Sequence, residues 1–279
     1  MITKDTEEKF VQFLNNGQPT YEKFLMAHSF PRIKAILNGK IIPPYEVEIQ
    51  TSSFCNLNCD HCFGKGCNAI RGLMGKGEMK EIAKKINDFQ EDGFKIEIAK
   101  FCGITGEPLF TPVAAEGIRI FKEQGKKIVV YTNGLNLDQR VENDGHYYNH
   151  ILQIDRLNLS LDAGSEEVFT DLKGKPGFNR IIKSLEKIIG KRNHNPNVVI
   201  SYVAGKKNYG DIVNATRIVK EAGADEISFR VDFLEINKMP DSLREKITNE
   251  IEEAKKYADE NFIVDSAYSK EEIINGDGA

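Results

Sequence analysis

Residues 198–231 read VVISYVAGKKNYGDIVNATRIVKEAGADEISFRV and hold one complete strand–helix–strand unit. Val198–Val203 is a short run rich in β-branched and aromatic residues, which reads as a strand. Ile212, Ala215, Ile218, Val219 and Ala222 then recur at helical spacing, and Gly223 stops that helix. Glu226–Val231 reads as a second strand. Two consecutive strands joined through a helix run parallel, with a right-handed crossover.

The same alternation extends upstream. Strands are expected at Val47–Thr51, Lys95–Ala99, Ile128–Tyr131 and Ile154–Leu161. The first helix carries Met79, Ile82, Ala83, Ile86 and Phe89 on one face and ends at Gly93. The second is capped by Thr111, with Pro112 in a tolerated first-turn position. A looser helix is placed between Asp138 and Asn149. The clearest one carries Phe178, Ile181, Ile182, Leu185, Ile188 and Ile189, and a last long one starts near Asp241. Six such units in series define an α/β fold with a parallel sheet. They are too few for an eight-fold barrel. An open doubly wound sheet and a partial (β/α)6 TIM-like barrel both fit. Residues 1–42 form an N-terminal extension with helices expected around Thr6–Asn15 and Tyr21–Leu37. Pro43-Pro44 is a hinge, residues 43–235 are the core, and 236–279 are a C-terminal helical extension.

The chain has 279 residues, 40% hydrophobic and 29% charged, the balance of a globular protein rather than a disordered or fibrous one. Lys plus Arg total 38 against 42 Asp plus Glu, a net charge of −4. That balance argues against nucleic acid as a partner. The first ten residues, MITKDTEEKF, lack an apolar signal core. No apolar run approaches the ~18 residues that span a bilayer. A cytoplasmic location without membrane contact is expected, where thiols stay reduced.

Cys55, Cys59 and Cys62 form a C-x3-C-x2-C octapeptide directly after the first expected strand. Soft thiolates select zinc, copper(I) or iron–sulfur. Ordinary clusters take four cysteines, whereas here three leave one iron open to an exogenous ligand. A structural zinc site with His61 or Cys67 as fourth ligand is the alternative. The second C-x2-C that such a site usually carries does not follow, since no cysteine occurs after Cys102.

The octapeptide resembles the signature of the radical S-adenosylmethionine (radical SAM) superfamily, and its place after the first barrel strand agrees. The resemblance implies a partial (β/α)6 barrel. It also implies one 4Fe–4S cluster held by Cys55, Cys59 and Cys62, with the amino and carboxylate groups of SAM on the fourth iron. His61, before the third cysteine, takes the position of an aromatic residue that packs near adenine. Thr105-Gly106-Glu107-Pro108 is similar to the family's G-G-E-P segment along the methionyl part of SAM, with Thr105 in place of the first glycine. Thr132-Asn133-Gly134 matches T-N-G in many relatives. Ser160-Leu161-Asp162 is similar to a stretch that meets the ribose and carboxylate. Lys173 sits where members place a basic residue near the SAM carboxylate. The assigned SAM contacts are therefore His61, Thr105, Gly106, Glu107, Asn133, Ser160, Asp162 and Lys173, each at or after the C-terminal end of an expected strand, where parallel barrels build their sites.

By the same resemblance, SAM is cleaved reductively to methionine and a 5′-deoxyadenosyl radical, which abstracts hydrogen from a small-molecule or peptide substrate. A one-electron reductant such as flavodoxin or ferredoxin is implied. Cys102 adjoins the SAM loop and is a candidate hydrogen-atom donor; a small buried hydrophobe is its plainer role. Tyr202, Arg230 and Asp232 are candidate substrate contacts by strand-end position. Arg230 suits a carboxylate or phosphate, or an ion pair with Asp232 or Glu226. A glycyl-radical activase and a non-catalytic zinc or iron–sulfur scaffold are the competing functions.

Overall fold

Leu157 and Leu159, Ile200 and Tyr202, and Ile227 and Phe229 are buried residues spaced two apart along their strands. This period-two pattern gives each strand one apolar face, which packs under the surrounding helices. The resulting sheet is seen in a computed structural model that describes residues 8–9, 11–12, 21–62, 64, 71–103, 105–141, 145–232 and 235–276. The strands are β1 (Glu46–Ile49), β2 (Gln90–Glu91), β3 (Phe94–Lys95), β4 (Ile98–Phe101), β5 (Lys127–Thr132), β6 (Arg156–Ser160), β7 (Asn197–Ala204), β8 (Glu226–Val231) and β9 (Ile263–Ser266). Seven of them form one sheet in the order β1-β4-β5-β6-β7-β8-β9, with every pairing parallel. β1 and β9 are the two edges, so the sheet is a partial barrel rather than a closed one.

The helices are α1 (Tyr21–Leu37), α2 (Lys76–Asp88), α3 (Val113–Glu123), α4 (Tyr147–Ile151), α5 (Glu166–Lys173), α6 (Phe178–Lys191), α7 (Ile212–Glu221), α8 (Asp241–Lys255) and α9 (Lys270–Asn275). α6 shows how the outer layer is held. Phe178, Ile181, Leu185 and Ile188 are all buried, each contributing roughly 2 kcal/mol of burial. A charge at Ile181 would remove that helix from the sheet.

Four elements differ from the sequence expectation. The second strand begins at Ile98 rather than Lys95, because Phe94–Lys95 turns back on Gln90–Glu91 as an antiparallel hairpin. Asp92 and Gly93 make that turn with φ of 51° and 79°, the two positive values that an Asp-Gly hairpin turn requires. The third crossover helix covers only Tyr147–Ile151, since Gly145 at φ 81° breaks any longer one. α5 was not anticipated, although Ser165 caps it by accepting from the Val168 N–H and Gly174 ends it at φ 76°. The C-terminal extension is not purely helical: it supplies β9, the seventh strand, paired with β8. Of the two N-terminal helices expected, Tyr21–Leu37 is present; the one around Thr6–Asn15 falls largely outside the described residues.

Candidate active site

The loops after β1, β4, β5 and β6 converge at the C-terminal edge of the sheet. Their residues line a cavity of ≈ 560 Å³ in which Cys55, Cys59, Cys62, Glu107, Asn133 and the Asp162–Lys173 pair all face one space. Gly106 brings two of the loops together. A Cβ there would lie 2.0 Å from the Ser52 carbonyl oxygen, so only glycine lets this backbone close on the cysteine loop. The contact is extended by the Glu107 N–H, which donates to the Phe54 carbonyl at 2.9 Å.

Glu107 is buried and held by three donors. The Thr132 hydroxyl and the Leu109 N–H donate to Oε1 at 2.6 and 3.0 Å, and the Asn133 N–H donates to Oε2 at 2.8 Å. Burial raises its carboxyl above the usual range, against the opposing pull of these donors. Asn133 also steadies the cysteine loop. Its amide donates to Asn56 Oδ1 at 2.8 Å and to the Cys55 sulfur at 3.6 Å, while Asn56 donates onward to Asn136 at 3.1 Å.

Asp162 is the second hub. It adopts φ 58°, a left-handed backbone that costs a non-glycine residue about 1 kcal/mol or more. One carboxylate oxygen accepts from the Val203 N–H at 2.7 Å; the other is ion-paired with Lys173 and lies 3.3 Å from His61 Nε2. Asp162 and Lys173 are almost wholly buried. Burial alone would raise the Asp162 carboxyl, but the Lys173 ammonium and His61 outweigh it and hold it well below the usual carboxylate range. Lys173 is likewise shifted up: burial lowers it and Asp162 more than restores it. The backbone around Lys173 grips the cysteine loop too, since Asn58 and Asp60 N–H groups donate to the Lys173 and Leu172 carbonyls, both at 3.0 Å.

The thiols are shaped by the same enclosure. Burial pushes Cys59 up to about 11 despite nearby Lys173, and raises Cys55 too. Among the described residues no three His, Cys, Asp or Glu side chains converge on a point as they would around a single ion. A loop that wraps a polynuclear cluster does not require that convergence, because each thiolate meets a different iron. His61 is anchored through Nε2, which lies 3.3 Å from an Asp162 carboxylate oxygen, so only Nδ1 is left to it for any metal. Cys67, the other zinc candidate, lies outside the described residues. The donor set therefore fits a three-cysteine cluster better than mononuclear zinc.

The sequence model of the Radical SAM superfamily matches residues 49–219, more than half of the chain, and includes the stretch from the cysteine loop through α5. The chain belongs to the radical SAM superfamily. Among curated relatives, it is 26% identical over 186 residues to a probable GTP 3′,8-cyclase of Saccharolobus islandicus, covering 66% of this chain and 56% of that one. It is 27% identical over 193 residues to an AdoMet-dependent heme synthase of Methanosarcina barkeri, covering 68% and 51%. The chain thus spans about half the length of these relatives. Of solved structures, Streptococcus suis SuiB bound to precursor peptide SuiA superposes with TM-score 0.61 at 17% identity, over 89% of this chain and 56% of that one. anSMEcpe with bound AdoMet superposes with TM-score 0.56 at 16% identity, over 75% and 60%. At these identities the two structures support the fold of this radical SAM chain.

The residues singled out from the sequence are placed as follows. The three cysteines, His61, Thr105, Gly106, Glu107, Asn133, Ser160, Asp162 and Lys173 all line the one cavity, joined by Cys102 and Arg230. Tyr202 does not reach it: the ring is fully buried against Phe229 and its hydroxyl donates to the Asn208 carbonyl at 2.6 Å, so the side chain packs the core. Asp232 lines an adjoining cavity of ≈ 770 Å³, together with His61, Cys62, Val203 and Gly205. Arg230 has no ion pair with Glu226, which instead meets Arg156 at 3.3 Å. Sequence reasoning missed Glu48, Lys100 and Tyr131, which also line the first cavity. Charged residues at alternate positions of strands expected to be covered on both faces were the available signal. Asn56 was missed as well, although it lies inside the cysteine motif.

Proposed function

We propose that this chain is a radical SAM enzyme whose Cys55, Cys59 and Cys62 hold one 4Fe–4S cluster and whose neighbouring loops bind SAM. The observation that carries the reading is the single cavity that presents three thiols, the cradled Glu107 and the Asp162–Lys173 pair to one another. When bound, the cluster and SAM supply a one-electron reductive cleavage that yields an adenosyl radical able to take hydrogen from an unactivated C–H bond.

The protein's part is binding and orientation. A carboxylate offers about four acceptor sites, and three of Glu107's are filled, two on Oε1 and one on Oε2. The remaining site on Oε2 suits an ammonium donor such as the amino group of SAM. Because the three neutral donors fix the carboxylate beforehand, little reorganisation accompanies that bond. Lys173 is engaged by Asp162, so together they form a neutral, rigid wall that fixes His61 beside the cysteine loop. His61 and Cys62 border both cavities, which lets one elongated cofactor lie across the junction. Thr105 is held by Gln50, whose amide donates to its hydroxyl at 2.8 Å. Asn133 acts on the cysteine loop through Asn56 and on Glu107 through its backbone.

Cys102 borders the same cavity as Glu48. Burial first and Glu48 second raise its thiol to about 11, so it stays protonated at neutral pH. A protonated thiol carries the S–H bond that a hydrogen-atom donor needs. The substrate is a small molecule or peptide, and the electron comes from a partner such as flavodoxin or ferredoxin. No helix among the described residues is long and apolar enough to cross a membrane.

The reading is tested on protein reconstituted anaerobically with iron and sulfide. The dithionite-reduced sample should give the electron paramagnetic resonance signal of a 4Fe–4S cluster, and added SAM should alter it. Bound zinc with no such signal would point instead to the scaffold reading.

A further inference from the structure

The interior of a packed parallel barrel is filled by layers of branched aliphatic side chains. This interior is different. The register places Glu48 beside Lys100, Tyr131 beside Asn158, Ser160 beside Ser201 and Val203 beside Arg230. All of these except Asn158 line the cavity. Alternation along each strand puts them on the face opposite the buried apolar set, so the barrel encloses a polar chamber.

Unused donors line the chamber wall, and a second polar cluster lies deeper along the same strands. There Arg156 reaches Asn158 Oδ1, Asn197 Oδ1 and Glu226 at 3.3–3.4 Å. Asn158 is 3% exposed, its oxygen is taken by Arg156, and its Nδ2 has no hydrogen-bond partner. A buried amide N–H₂ left open is costly unless something accepts from it. On the wall, Lys100 is neutralised by Glu48 at 2.9 Å and Glu46 at 3.5 Å, and Lys173 by Asp162. Among the described residues Arg230 is the cavity cation without an ion pair, and the Ser160 and Ser201 hydroxyls are not engaged by another described side chain.

We propose that this chamber is the substrate site and that it takes a substrate bearing an anionic oxygen group, a carboxylate or a phosphate, against Arg230. A guanidinium offers a planar fork of donors that matches either group, and the Ser201 hydroxyl on the adjoining strand lines the same cavity as a neutral donor. Lys100, held between Glu48 and Glu46, offers no second free cation at that wall, so one anionic group is accommodated rather than a polyanion. Cys102 and Glu48 border the same cavity as Arg230. The inference rests on the radical SAM reading for calling the ligand a substrate, but the anion site consists of strand side chains that need no cluster.

The test titrates inorganic phosphate and, separately, acetate into metal-free and into reconstituted protein by calorimetry, with iron content measured on the same samples. Saturable binding of at least one probe is expected in both forms. Arg230→Gln should weaken it roughly tenfold or more, and Arg230→Lys should keep part of it. Phosphate binding alone identifies a phosphorylated substrate; acetate binding alone identifies a carboxylate. Absence of saturable binding by both probes, or binding that Arg230→Gln leaves unchanged, overturns the site. Anion binding in a protein that takes up no iron would spare the site and overturn the radical SAM reading instead.

Discussion

Replacing Asp162 by Asn removes one negative charge and almost nothing else. Asn tolerates the φ of 58° as well as Asp does, and its side-chain oxygen can still accept from the Val203 N–H. What is lost is the counter-charge of Lys173, in a pair whose side chains are 2% and 3% exposed. Leaving a buried ammonium without its partner costs about 3–5 kcal/mol. For a domain of this size that is a fall in Tm of roughly 6–20 °C. The double variant Asp162→Asn/Lys173→Met buries no charge and should recover most of the loss, because an apolar side chain of similar length is tolerated where an ion pair stood. The assay is urea denaturation of metal-free protein, which separates this term from cluster binding. The direction with pH follows from the shifts. Asp162 is held low, so its stabilisation is present above the unfolded carboxyl value of about 4 and is lost as pH falls through the lower folded value. Lys173 is raised, so its contribution is present below the unfolded value of about 10.4 and is lost as pH rises through the higher folded one. The penalty of the single variant should therefore be flat from about pH 5 to 9. A penalty below about 1 kcal/mol, or a double variant as unstable as the two singles added, would refute the reasoning.

Glu107→Gln turns an amide N–H₂ toward backbone and hydroxyl donors, so it should destabilise by about 1–3 kcal/mol in urea and weaken SAM in a calorimetric titration of reconstituted protein. Gly106→Ala places a methyl group 2.0 Å from the Ser52 carbonyl oxygen; the loop must move, with an expected loss of about 1–3 kcal/mol and reduced iron uptake in reconstitution. Cys102 should resist alkylation: with its thiol near 11, the rate at that residue in metal-free protein, followed by mass spectrometry, should climb until about pH 11. A plateau by pH 9 would contradict the burial and the nearby Glu48 charge that raise it.

Much of this architecture was legible in the sequence because its signals are local. The helix of Phe178–Ile189 and the strand Glu226–Val231 announce themselves by period alone. The cysteine spacing and the Thr105–Pro108 segment each sit within eight residues, after an identifiable strand. What stayed hidden depends on tertiary contact or on turn chemistry. β9 is a four-residue strand that becomes one only by pairing with β8. The Asp92-Gly93 turn displaced the second strand by three residues, and its dipeptide was a readable signal that the helical run before it obscured. Tyr202 and Arg230 are separated by burial, not by position: both lie near the C-terminal end of a strand, but strand alternation sends the first under the helices and the second into the chamber. The charge state of Lys173 was likewise unreadable, since its partner Asp162 is eleven residues away across a helix that had not been foreseen.

The central claim is that the three cysteines and the surrounding loops support reductive cleavage of SAM. The most direct measurement is 5′-deoxyadenosine formed when anaerobically reconstituted protein, carrying about four irons per chain, is given dithionite and SAM. 5′-Deoxyadenosine should form only with the reductant and should disappear in Cys59→Ala together with the iron. Full iron loading with no 5′-deoxyadenosine, or cleavage that survives the loss of Cys59, would contradict that claim.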